Sequence, residues 1–394
     1  MSRLIINNIG PLKHVDVDLK TVNIFIGRQS SGKSTLAKII SFCSWLEKNN
    51  EKVHKCLVDG AYKMLLSYSR LSSAYFKGNS SIFYEGENIV YAYNLPMDSA
   101  LLLTKNTIDS WEHLNEKEFF GHQLYRSINP KVAYIPAERN FVSAVSNLLE
   151  YSEDDDNLQD FVNTWYKAKK KYTEHDALSL MGLHAKFFYQ ESDLSDNVIL
   201  DSGEKLPLKS ASSGLQSVIP LLVLVNWLSD GIYEEEKPFS PSEQDRIVEM
   251  LKGLPEGLKD DKVKRLVERM SGFIKGYVYS HTQFIVEEPE QNLFPETQCE
   301  LINYLLASIY HGKGHRMVLT THSPYVLNQL NLLFKAYDRK TTIDNASLNY
   351  EDTNVYAIEN GELRDLKVQN AHLVDPEYLI QFISSIYQQY AELG

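Results

Sequence analysis

Residues 27–34, Gly27-Arg28-Gln29-Ser30-Ser31-Gly32-Lys33-Ser34, have the spacing G-x-x-x-x-G-K-[ST]. Its glycines permit a tight loop whose backbone N–H groups can all turn toward one anion. The chemistry implied is phosphate binding. Lys33 is placed to reach the β- and γ-phosphates of a nucleotide and the Ser34 hydroxyl to ligate Mg²⁺, while Gly27, Ser30, Ser31, Gly32 and Thr35 form the rest of the cradle. Such a loop needs a strand before it and a helix after it. The apolar run Val22, Ile24, Phe25, Ile26 predicts the strand, and Leu36, Ile39, Ile40 and Cys43 recur at helical spacing.

Further along, the run Phe284-Ile285-Val286 predicts a buried strand that ends in Glu287-Glu288. In an open parallel sheet the C-terminal end of a strand faces the ligand crevice, so two successive carboxylates there can divide the labour. Glu287 is assigned to the Mg²⁺ shell through water, and Glu288 to orienting and polarising an attacking water. Met317-Val318-Leu319-Thr320-Thr321 predicts another buried strand, which Ser323-Pro324 stops. His322 is therefore expected at the same sheet edge as Glu288. The fold class predicted is α/β, of the P-loop kind, with antiparallel strands at the N-terminus and helical insertions.

Several other elements are legible from patterning. Residues 46–128 read as a mixed α/β arm, with a hairpin over Ser81 to Asn94. Residues 140–190 read as a polar helical insertion, with Val145, Leu148, Leu149, Phe161 and Trp165 on its apolar positions, and residues 230–278 as a second, with Val263, Leu266, Val267 and Met270. Val198-Ile199-Leu200, the turn Asp201 to Glu204, and Leu206-Pro207-Leu208 predict a second strand pair. Val218 to Leu228 predicts a buried helix. The residues after His322 predict a helix, a hairpin around Asn360-Gly361, and a terminal helix containing Leu379, Phe382, Ile383 and Ile386.

Together the motifs resemble the ABC-class ATPase heads of the RecF, SMC and OLD-nuclease group of AAA-family ATPases. In that resemblance Gly27 to Thr35 is the Walker A motif, Phe284 to Glu288 Walker B, Pro289 to Pro295 the D-loop, and His322 the switch histidine. Ala211-Ser212-Ser213-Gly214-Leu215-Gln216 is similar to the signature motif, which implies that Ser212 and Gly214 contact the γ-phosphate bound by the opposite subunit. Leu4-Ile5-Ile6-Asn7-Asn8-Ile9-Gly10-Pro11-Leu12 matches the group's opening strand and turn. The resemblance spans the chain, from residue 1 to 394 as a single head, and is dense at the two ends.

Two departures stand out. Glu287 occupies a position where most ABC-class ATPases carry Asp, and no Q-loop glutamine follows the middle region. Its place falls to Val132-Ala133-Tyr134-Ile135-Pro136-Ala137-Glu138-Arg139, a strand ending in polar groups. Glu138 or Arg139 either approaches the nucleotide or forms a structural ion pair.

At 394 residues, 43% hydrophobic, the chain can bury a large core. A net charge of −12 argues against coating nucleic acid at large, and leaves Lys167, Lys169, Lys170 and Lys171 either as a local basic groove or as solvated faces beside the acidic run Glu153 to Asp156. Cys43, Cys56 and Cys299 have no metal-binding spacing and suit a reducing cytoplasm, and no apolar stretch is long enough for a membrane span. Neither insertion sustains heptads, so a compact head is expected. Asp375 and Glu377 read as helix N-terminal residues rather than metal ligands, so no Toprim-type nuclease domain is expected.

The resemblance implies a cytoplasmic ATPase with ATP and Mg²⁺ as cofactors, which closes as a homodimer or higher oligomer through ATP-bound heads. It further implies coupling to a separate effector protein or to nucleic acid, in anti-phage defence or genome maintenance. A non-catalytic, ATP-gated scaffold is the alternative.

Overall fold

The computed structural model describes residues 2–53, 57–94, 99–104, 129–145, 156–234, 279–310 and 313–393. The chain opens with β1 (Ser2–Ile9), β2 (Leu12–Leu19) and β3 (Val22–Ile26), followed by the loop 27–32 and α1 (Lys33–Val53). After α2 (Leu57–Ser69) come β4 (Phe76–Glu85), β5 (Ile89–Asn94), β6 (Ser99–Thr104) and β7 (Lys131–Ile135). α3 (Asn157–Lys169) precedes a small sheet of β8 (Leu178–Ser179), β9 (Ala185–Gln190), β10 (Ser195–Leu200) and β11 (Lys205–Pro207). α4 (Ser213–Asn226), β12 (Thr282–Glu287), α5 (Pro295–Tyr310), β13 (Arg316–Thr321) and α6 (Pro324–Asp338) then lead to β14 (Thr353–Glu359), β15 (Glu362–Asp365) and α7 (Glu377–Glu392).

The main sheet runs β6-β5-β4-β1-β2-β15-β14-β3-β13-β12-β7. Its strands β14, β3, β13, β12 and β7 are parallel, whereas β2, β1, β4, β5 and β6 form an antiparallel meander. A parallel strand has helices on both faces, so its side chains must be apolar in both directions. Val22, Ile24 and Ile26 accordingly enter one core with α3 to α6, while Phe25 enters the other with α1 and α2. β12 and β13 divide the same way, Phe284 and Val286 against Ile285, and Met317 and Leu319 against Val318. That is why these strands read as unbroken apolar runs.

Register decides what lies at the sheet edge. Thr321 pairs with Ile26 and Glu287 with Thr320, so the residues that follow β3, β12 and β13 emerge side by side. The β14–β15 hairpin turns at Asn360 (φ 53°) and Gly361 (φ 87°), two left-handed residues as a two-residue hairpin turn requires. The carbonyl of Gly361 accepts from the N–H groups of Lys13 and His14.

The hairpin over 81–94 is present as β4 and β5, and β10 and β11 form the predicted strand pair. The insertion 140–190 differs from expectation. Residues 157–169 are helical, but 178–190 contribute β8 and β9, because Phe187 is needed in the core beside Trp165 and Tyr172. Leu148 and Leu149 lie outside the described residues, as do 235–278 of the second insertion, Cys56, and 95–98 and 105–128 of the arm. Within the lysine cluster Lys167, Lys170 and Lys171 are exposed, and only Lys169 departs from both readings. Lys169 is buried, paired with Asp196 at 3.0 Å and flanked by the rings of Trp165, Tyr166 and Tyr189, so it belongs to no surface groove.

Candidate nucleotide site

The cradle has the strand and helix it needs. α1 begins at Lys33, and the Leu36 N–H donates to Gly32 O at 2.9 Å. Ser30 (φ 60°) and Gly32 (φ 109°) are left-handed, and the Ser31 N–H donates to Arg28 O at 3.2 Å, which makes the loop a tight turn. Gly32 also faces the opening turn, where an added Cβ would lie 2.5 Å from Leu12 Cδ2. Gly27 is needed for close approach too, since a Cβ there would lie 2.7 Å from Ser31 Oγ. We expect Gly32→Ala to destabilise the protein by about 1–3 kcal/mol through backbone strain and overpacking, read as a lower urea midpoint. An unchanged midpoint would show that the loop tolerates a side chain.

Lys33 is buried and donates from Nζ to Gly27 O and Arg28 O, both at 2.9 Å. Burial lowers its pKa, while Glu288, Glu290 and Glu287 work against the shift. Its Nζ also lies 3.4 Å from His322 Nδ1, and His322 Nε2 lies 3.0 Å from Glu288 Oε1. The tautomer that satisfies both contacts carries the proton on Nε2, donating to Glu288, and accepts from Lys33 on Nδ1. Cradle, imidazole and carboxylate thus form one connected line across the ends of β3, β13 and β12.

Glu287 lies beneath this line, almost fully buried. Its Oε1 accepts from Tyr134 Oη at 2.8 Å, and Ser34 also hydrogen-bonds it. Desolvation raises its pKa, opposed by those two hydrogen bonds and by Lys38.

Glu290 was not singled out by sequence, yet its Oε1 accepts from Thr321 Oγ1 and from the His322 N–H, both at 2.7 Å. It fixes where the imidazole starts. Two buried oxygens near this edge, Ser31 Oγ and Glu290 Oε2, have no hydrogen-bond partner. A buried hydroxyl left without a partner in this loop is what a bound phosphate would satisfy.

Ser212 caps α4, its side chain accepting from the Leu215 N–H at 3.4 Å, and Ser212 and Ser213 are exposed. Gly214 lies against the turn after β12, since a Cβ there would be 3.0 Å from Asn292 O. The signature-like segment therefore bonds to its own helix and packs on the Glu288 turn. Of the two residues left open at the end of β7, Glu138 is exposed, and Arg139 is fully buried and bonded to backbone carbonyls, so among the described residues neither forms the ion pair that was one of the two alternatives.

A strand, a glycine-framed loop and a helix beginning at lysine, set in a parallel core, define an α/β fold of the P-loop kind. Similar solved structures include an SMC head domain from Thermotoga maritima, 9% identical over 93% of this chain and 98% of that chain, with a TM-score of 0.40. The recombination mediator RecF is 9% identical over 92% and 97%, with a TM-score of 0.34. A dimeric bacterial ABC transporter cassette is 14% identical over 93% and 100%, with a TM-score of 0.26. No family profile and no curated protein matches the chain.

Proposed function

We propose that this chain binds ATP with Mg²⁺ in the cradle of residues 27–35 and hydrolyses it at a site closed by a second copy. The observation that carries this reading is the connected line Lys33–His322–Glu288 at the edge of the parallel sheet. Lys33, Ser30, Ser31, Gly32 and Thr35 hold the triphosphate. Ser34 and Glu287, a hydroxyl and a buried carboxylate already in hydrogen-bond contact, are hard oxygen donors suited to Mg²⁺. The cation supplies charge neutralisation on the phosphate oxygens. Glu288 orients and polarises the attacking water, and His322 holds that carboxylate and takes up its position relative to Lys33. Ser212 and Gly214 contribute across the interface. A homodimer or higher oligomer, a cytoplasmic setting, and coupling to a separate effector or nucleic acid in defence or genome maintenance rest on the resemblance of the motifs and belong to the same proposal.

The test is ATP binding by calorimetry together with steady-state phosphate release, with and without DNA. Lys33→Ala is expected to weaken ATP binding at least about tenfold, since a charge-assisted contact contributes roughly 1.5–3 kcal/mol. Unchanged affinity in that variant would remove the cradle assignment. Binding without turnover in the wild type would favour the ATP-gated scaffold.

A further inference from the structure

Arg139 lies inside the protein, 0% exposed, and burial lowers its pKa to about 10. All of its hydrogen bonds end on backbone carbonyls. Nε donates to Ser217 O at 2.9 Å; Nη1 to Pro136 O at 3.3 Å and Glu287 O at 2.8 Å; Nη2 to Glu288 O at 2.9 Å and Pro289 O at 3.2 Å. One planar guanidinium therefore ties the end of β12 to the first turns of α4.

Both ends of that tie are unusual. Glu288 has φ 44°, a left-handed conformation that a non-glycine residue holds only when its surroundings fix it. Its N–H donates to Thr320 O at 2.8 Å and its carbonyl accepts from Arg139, so the strained residue is held on both sides. In α4, Pro220 has no N–H for the carbonyl four residues back, that of Gln216. Ser143 Oγ donates to that freed carbonyl at 2.9 Å, beside the Arg139 bond to Ser217 O. The first turn of α4 is thus fastened from outside the helix by the short segment that carries Arg139 and Ser143.

We propose that Arg139 is a positioning residue that couples the first turn of α4 to the Glu288 carboxylate. The inference rests on the ATP-hydrolysis reading above. Engagement of residues 212–214 displaces α4 against the turn 288–293, and the guanidinium carries that displacement into the peptide groups that aim Glu288. A buried, fully bonded linkage transmits such a shift because a close-packed interior cannot absorb it.

The experiment is steady-state kinetics of the full chain, normalised to nucleotide-binding sites, for wild type, Arg139→Lys and Ser143→Ala. Lysine keeps the charge but loses the planar fork of donors. Arg139→Lys is expected to lower kcat at least about tenfold while the KM for ATP stays within about threefold. Ser143→Ala, a milder change, is expected to fold as wild type and lower kcat about threefold at unchanged KM. A merely structural brace would lower the melting temperature and the number of sites, and leave kcat per site alone. Wild-type kcat per site in a folded Arg139→Lys overturns the coupling; should that variant fail to fold, wild-type kcat in Ser143→Ala overturns it. A wild type that releases no phosphate overturns the ATPase reading and the coupling with it, whereas an active wild type with indifferent variants overturns the coupling alone.

Discussion

Glu288→Gln is expected to lower ATP turnover at least about a hundredfold while leaving ATP binding near the wild-type value, because general-base catalysis is worth about that factor. Glutamine has the same length, and its carbonyl oxygen can still accept the His322 Nε2 proton that Glu288 Oε1 accepts at 3.0 Å. What disappears is the negative charge that polarises water. Binding survives because Lys33 is held by Gly27 O and Arg28 O, independently of Glu288. Glu287→Gln serves as the contrast. That side chain is buried and bonded by Tyr134 and Ser34, so its loss of charge should weaken the Mg²⁺ dependence. Phosphate release measured across Mg²⁺ concentrations separates the two. Normal turnover in Glu288→Gln would move the water-activating role to another carboxylate, and Glu290, on the same edge, would be the next to examine.

The parts of this site legible in the sequence are those where residue type alone fixes geometry. A glycine-framed loop with lysine and serine at its end can be little else once a strand and helix flank it, and prolines after Glu288 and Ser323 mark the strand ends. The carbonyl bonds of Arg139 were not legible, because a guanidinium next to a strand end gives no sign of which backbone oxygens will face it. Separate roles for the neighbours Glu287 and Glu288 were legible from their order at the strand end, but the burial of Glu287 on Tyr134 and the His322 contact of Glu288 were not. Glu290 was hidden in a segment read as a loop, although its spacing two residues beyond Glu288 was a usable signal. In the fold, the parallel core was readable from unbroken apolar runs, whereas β8 and β9 were missed. β8 is only two residues long and β9, Ala185–Gln190, carries adjacent core side chains rather than a clean alternation, so their pairing is made by tertiary contacts such as Phe187 on Trp165.

Ser212→Arg is expected to abolish ATP-dependent dimerisation while leaving the fold and single-chain ATP binding intact. The structure favours this position over Gly214. A side chain at Gly214 would press on Asn292 O within its own chain at 3.0 Å, so loss of dimer in that variant would mix two causes. Ser212 is exposed, and its capping bond to the Leu215 N–H is long, at 3.4 Å. Losing that cap should cost no more than about 1 kcal/mol. An arginine there projects from the N-terminus of α4 into the space where the signature reading places a second copy's γ-phosphate and cradle. Bulk at the centre of an interface cannot be accommodated by close packing, and a cation at a helix N-terminus opposes the dipole. Sedimentation of the Glu288→Gln background, which should accumulate the ATP-bound dimer, gives the cleanest readout. Dimer in Glu288→Gln alone and monomer when Ser212→Arg is added would support a site shared between copies. The same ATP-dependent dimer in both would mean that residues 212–214 lie outside the interface, and that α4 meets the Glu288 turn for reasons internal to one chain.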